Sequence, residues 1–193
     1  MPNLLTILIL VPAAGGLATL IMRNRDAVRW MALTTTLITF VVSLLLLFFY
    51  DWHKTGPYGY DSTGGTVQMV QQVPWIAALN MQYKVGIDGL SLPLVILTTG
   101  ITVLACIASW NIEKMTKGYF VLFLFLESSI LGVFLSLDFF LFYVFFEVSL
   151  LPMYFLIGVW GGPRKELAAI KLFIYALLGS IGLLIVVIGT YNY

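Results

Sequence analysis

The chain has 193 residues, of which 61% are hydrophobic and only 10% charged, and its mean hydropathy is +1.00. A soluble domain of this length needs far more charge to cover its surface, and a net charge of +1 gives no reason to expect nucleic acid as a partner. The single cysteine, Cys106, excludes a disulfide scaffold or a cysteine metal cluster and reads as a small core residue.

Apolar blocks reach the roughly 20 residues needed to cross the hydrocarbon of a bilayer. They predict an all-α integral membrane protein with six transmembrane helices, over Leu4–Met22, Trp30–Tyr50, Leu90–Trp110, Tyr119–Leu137, Phe139–Trp160 and Leu167–Thr190. The first block lacks a positive leader, and its basic residues follow the apolar run, so it reads as a retained helix and not a cleaved signal. Asp88 or Ser91 is placed to cap the third helix, where Pro93 falls in the tolerant first turn, and Asp138 is placed to cap the fifth. The fourth and fifth spans are joined almost without a loop, which predicts a tight antiparallel pair.

Arg23, Arg25, Arg29, Lys114, Lys117, Arg164 and Lys165 all fall in loops after odd-numbered spans, against Lys54 and Lys84 on the other side. By the positive-inside rule both termini lie on the external, periplasmic side of a bacterial inner membrane. The chain then divides into helices 1–2 (residues 1–50), an external loop (51–87) and helices 3–6 (88–193). The loop opens on turn-rich residues from Thr55 to Gly65. It closes on Leu79, Met81, Tyr83, Val85 and Ile87 alternating with polar residues or glycine, a period of two that predicts a short strand, half of a β-hairpin on the membrane surface. His53 at its head reads as an interfacial residue.

Three ionisable residues interrupt the apolar spans: Glu127, Glu147 and Lys171. A charge at the bilayer centre costs about 2.5–3.5 kcal/mol on insertion scales, so such residues face a bundle interior or a wet cavity. Glu147 stands near the middle of the fifth span. Five residues on, Pro152 lacks the N–H that would bond the Val148 carbonyl. Tyr143, Glu147 and Tyr154 share one helical stripe, and the alternative to a transport role is an acid hydrogen-bonded between helices. Glu127 falls at the same depth on the neighbouring span, and depth alone does not decide whether the two acids face each other. Lys171 is shallow enough to snorkel, yet it shares a stripe with Tyr175, Gly182 and Gly189, and glycines so spaced let another helix pack closely. No metal cluster, cofactor loop or nucleophile–base pair is visible. The chemistry on offer is the movement of a charge.

At these residues the sequence resembles a known family. The run from Phe145 to Gly162, with Glu147, Leu151 and Pro152, is similar to the fifth-helix motif of the antiporter-like M subunits of NADH-quinone oxidoreductase, respiratory complex I. Pro74-Trp75-Ile76, the run from Val85 to Leu92, and Lys171-Leu172-Phe173-Ile174-Tyr175 resemble that family's surface hairpin, third-helix entry and sixth-helix signature, in order. The resemblance implies a proton-translocating subunit of an enzyme, one that carries no redox centre or cofactor itself. Glu147 would be the acid of a buried Glu–Lys pair, Glu127 a second acid and Lys171 a residue lining the path. It implies as partners the related L and N subunits, the small membrane subunits and the lipid bilayer. Family members are more than twice as long, and the lysine that pairs with the glutamate lies beyond the sixth helix. Either a second chain supplies the remaining helices or this is a piece of a longer subunit. The same fold also serves cation/proton antiporters and membrane-bound hydrogenases, and a purely structural membrane segment is the remaining alternative.

Overall fold

The computed structural model describes residues 4–52, 67–76 and 81–191. Within them lie α1 (Leu4–Ile21), α2 (Arg25–Phe49), β1 (Gln68–Ile76), β2 (Met81–Ile87), α3 (Ser91–Ala108, continued by a 3-10 turn Ser109–Asn111), α4 (Thr116–Leu135), α5 (Phe139–Trp160) and α6 (Lys165–Tyr191). Among the described residues six helices are long and apolar enough to cross a membrane. The turn-rich stretch 55–65, His53 and Leu79 lie outside the described residues.

The spans agree with the sequence reading in number and differ at their ends. α2 starts five residues earlier than expected. Asn24 accepts a hydrogen bond from the Asp26 amide, and Asp26 in the first turn pairs with Arg29 at 3.2 Å. Charged residues that look like loop in a hydropathy reading thus form the first helical turn. Asp88 and Ser91 act together at α3: Asp88 Oδ1 accepts from the amides of Leu90 and Ser91 (3.0 and 2.6 Å), and the Asp88 amide donates to Ser91 Oγ. Asp138 caps α5, its Oδ1 accepting from Phe140 N and Leu141 N at 2.9 and 3.1 Å.

The helices pack in antiparallel neighbours, α4 lying against α1, α2, α3 and α5, while α6 packs on α5. Gly132 lets α4 and α5 approach: a Cβ built there would sit 2.3 Å from the Phe145 ring. One apolar cluster gathers at the hairpin end from Leu5, Leu8, Leu46, Val85, Ile87, Val95, Leu131 and Leu135. A second, from Val28, Ala32, Cys106, Phe120 and Leu124, fills the opposite end.

The strand expected near 79–87 is β2, and its partner β1 completes an antiparallel hairpin with Gln72 opposite Lys84 and Val73 opposite Tyr83. The hairpin rests on the α4–α5 turn. Leu137 N donates to Lys84 O at 2.9 Å, Val85 bridges Ser136, and Gly86 leaves room for the Leu137 side chain. At the other end of the bundle the basic loops are tied together. Arg29 donates to Ile112 O (3.3 Å), Trp160 Nε1 donates to Lys114 O (2.7 Å), and Lys114 and Lys165 both reach Val159 O in the last turn of α5, where a helix end favours cations. Lys165 beside it holds the Lys114 ammonium below the usual lysine range. The basic loops thus share one end of the bundle.

Candidate functional site

The α4–α5 turn sets the depth of both acids. Glu127 is eight residues before the end of α4 and Glu147 eight residues after the start of α5, so each lies ~12 Å from the turn. Their directions differ. Gly132 marks the side of α4 that meets α5, and Glu127 is five residues away, about 140° around the helix.

Glu147 lies on the side of α5 that meets α6. Tyr143, one turn earlier, reaches both Glu147 and the buried Ser180 of α6. Farther along, Tyr154 packs on Phe173 of α6 with ring centroids 5.4 Å apart. Glu147 is half-buried, and its Oε1 is shut off from solvent with no hydrogen-bond partner among the described residues. α5 runs through Pro152 without a break, leaving the Val148 carbonyl without its helical donor. A groove of about 260 Å³ between α5 and α6 is lined by Phe142, Phe146, Tyr175, Gly179 and Ser180.

Glu127 is 2% exposed, and neither of its oxygens has a hydrogen-bond partner among the described residues. It shares a face of α4 with Phe120 and Leu124, which pack with Cys106 of α3 and with Val28 and Ala32 of α2. The two acids therefore share a depth and sit in different seams, Glu127 against α2 and α3, Glu147 toward α6. Lys171 and Tyr175 (73% exposed) lie on an open face of α6. The expected glycine stripe is there, but Gly182 and Gly189 have nothing within 4 Å of a built Cβ, so that face has no neighbour within these six helices.

Sequence reading took Asp88 only as a helix cap and passed over Tyr50, Thr99 and the environment of Cys106. The signal for the α2 part was present. Thr36, Thr39 and Ser43, spaced three and four residues apart, mark one polar stripe in an otherwise apolar span.

Two family models cover adjoining parts of the chain: "NADH-ubiquinone oxidoreductase chain 4, amino terminus" over residues 62–138, and "NADH:quinone oxidoreductase/Mrp antiporter, TM" over residues 136–193. The chain is 40% identical to NADH-quinone oxidoreductase subunit M of Rhodobacter capsulatus over 99% of its own length and 36% of that protein. It resembles the NADH:quinone oxidoreductase/Mrp antiporter family. The similarity extends to a chloroplastic NAD(P)H-quinone oxidoreductase chain 4 of Chaetosphaeridium globosum, at 37% identity over 94% of this chain and 34% of the relative. The chain thus spans about a third of the length of the curated relatives it matches. In fold it is similar to a chain of respiratory complex I from Thermus thermophilus (TM-score 0.75, 23% identity, 91% of this chain and 33% of that one). It is similar too to a chain of the Mrp complex from Dietzia (TM-score 0.74, 20% identity, 93% and 18%). The relatives and neighbours so matched are a subunit of NADH-quinone oxidoreductase and chains of two larger complexes.

Proposed function

We propose that the chain is the N-terminal part of a proton-translocating subunit of respiratory complex I, in a bacterial inner membrane with both termini on the periplasmic side. The observation that carries the reading is Glu147. It is a carboxyl at mid-membrane depth with one oxygen sheltered and, among the described residues, unpartnered, on a proline-containing helix beside an open helix face. A carboxyl so placed releases a proton when a cation approaches and takes one up when it withdraws. Tyr143, Tyr154 and Tyr175 support the route along α5 and α6, the free Val148 carbonyl beside Pro152 offers an acceptor, and Lys171 lines the end nearer the basic loops. Glu127 is a second proton-transfer group. The opposing cation would come from helices beyond these six, on this polypeptide or on a second one packed against α6. Related L and N subunits and the small membrane subunits would flank it.

Quinone reduction elsewhere in the complex would supply the energy, and one proton moved against 100 mV costs about 2.3 kcal/mol. The test is Glu147→Gln in the assembled complex. Proton pumping should fall to background while the copurifying subunits are unchanged. Pumping that continues undiminished in an intact complex would sink the reading and favour a structural role. The likeness to the Mrp complex supports a second reading, a cation/proton antiporter subunit. It predicts ion exchange driven by a pH gradient with no dependence on NADH.

A further inference from the structure

Thr36, Thr39, Ser43, Leu46 and Tyr50 recur every three or four residues along α2 and its C-terminal cap, and all are buried. One stripe therefore carries four hydroxyls into the bundle. It lies against α3, and two rungs define the register. Ser43 Oγ and Thr99 Oγ1 are 2.8 Å apart, and seven residues away on each helix Thr36 meets the Cys106 thiol. The helices run antiparallel, so the rungs are ~10 Å apart along the membrane normal. Phe120 and Leu124, on the same face of α4 as Glu127, pack with Cys106, so Glu127 faces that rung, and neither of its oxygens has a partner among the described residues. At the opposite end of the stripe the Tyr50 hydroxyl is also buried, without a hydrogen-bond partner among the described residues, and it stands beside Asp88 and Gly89 at the hairpin end.

Buried polar groups are nearly always hydrogen-bonded, so two orphans at the ends of one hydroxyl-lined seam call for a cause. Packing accounts for the threonines and serines between them, which satisfy themselves on their own helices; it does not account for the ends. We propose that the α2–α3 seam is a proton route joining the surface at Tyr50 and Asp88 to Glu127, separate from the α5–α6 seam that holds Glu147. This deepens the proton-transfer reading given above but does not depend on the role of Glu147.

In the structure Thr36 donates to Leu33 O at 3.0 Å and Thr39 to Thr35 O at 2.9 Å, so these hydroxyls must turn before they relay. Each oxygen then accepts a proton as it gives up its own, and no bond of the chain has changed after the proton has passed. The Ser43–Thr99 rung serves either direction, because either hydroxyl can be the donor. Leu46 interrupts the run between Ser43 and Tyr50, a span of ~10 Å. Leu46 packs there in the apolar cluster of the hairpin end, so water completes the stretch only when that cluster opens.

The test uses the assembled membrane complex and infrared difference spectra on transfer to heavy water. The carboxylic C=O band that disappears in Glu127→Gln belongs to Glu127. Thr99→Val should slow the hydrogen–deuterium shift of that band about tenfold, as expected when a hydrogen-bonded relay group is removed, Thr99→Ser should restore it, and Glu147→Gln should leave it unchanged. The proposal is overturned if Thr99→Val exchanges at the parent rate, if Thr99→Ser is as slow as Thr99→Val, if Glu147→Gln slows the shift, or if Glu127→Gln removes no band. Failure of the broader reading shows separately, as undiminished pumping in Glu147→Gln.

Discussion

At the residue scale, a carboxyl without a donor for either oxygen is costly to bury. Removing an unsatisfied buried polar group relieves a desolvation penalty of about 1–3 kcal/mol. Glu127→Met, similar in length, should therefore raise the thermal stability of the purified complex even as it abolishes any proton exchange at that site. A lower melting temperature would mean that the carboxyl has a stabilising partner after all. Asp138 works in the opposite sense. Its loss in Asp138→Ala leaves two amides of the first turn of α5 unpaired and should cost about 1 kcal/mol, read as a lower midpoint in the same melt. Tyr50 adds a pH dependence. Burial, and then the charge of Asp88, hold its phenol above the usual value of 10.0. A group whose folded pKa is raised contributes stability that is whole below its unfolded pKa and is lost as pH rises through the folded one. The complex should therefore lose stability above pH 10.0, and Tyr50→Phe should make that alkaline loss shallower. The depth of both glutamates could be counted from the sequence because α4 and α5 meet in a tight turn. Their directions could not, since five residues of separation from Gly132 mean nothing until Gly132 is known to face α5.

At the scale of elements, the α4–α5 pair depends on one missing side chain. Gly132→Val would push atoms into the Phe145 ring, and overpacking of this kind costs about 1–3 kcal/mol. We expect a reduced yield of assembled complex, measured against Gly179→Ala, where nothing lies within 4 Å of a built Cβ. The hairpin was half legible. β2 alternates cleanly from Met81 to Ile87, while β1 has register shifts at both ends and Met69 at a positive φ of 54°. Those irregularities break the period of two by which a strand is recognised. Helix ends were misplaced for a related reason. A hydropathy window stops at the first charge, whereas Asn24 and Asp26 begin α2 with polar residues that cap it.

For the whole molecule, six helices bury one another unevenly. α4 is enclosed by four neighbours while α6 rests on α5 and turns Lys171, Tyr175 and Gly182 away from the bundle. The curated relatives are about three times as long, and under the proposed function helices beyond these six cover that face. Gly182→Phe should leave the six-helix unit folded, since its Cβ would meet open space, and should sharply reduce copurification of the neighbouring membrane chains in mild detergent. Copurification at the parent level would show that α6 faces lipid in the assembly.

Membrane class, the number of spans, the gathering of basic residues into three loops and the depth of the acids follow from sequence alone. Hydrocarbon thickness sets how many apolar residues a span needs, and helical rise converts residue number into depth. Which seam each acid enters was decided only in three dimensions. Rotation of a nearly uniform apolar helix leaves no trace in its hydropathy, and the azimuth of Glu127 depends on Gly132 meeting Phe145, on Ser128 of α4 donating to Ile9 O of α1 at 2.7 Å, and on Cys106 packing with Phe120 and Leu124.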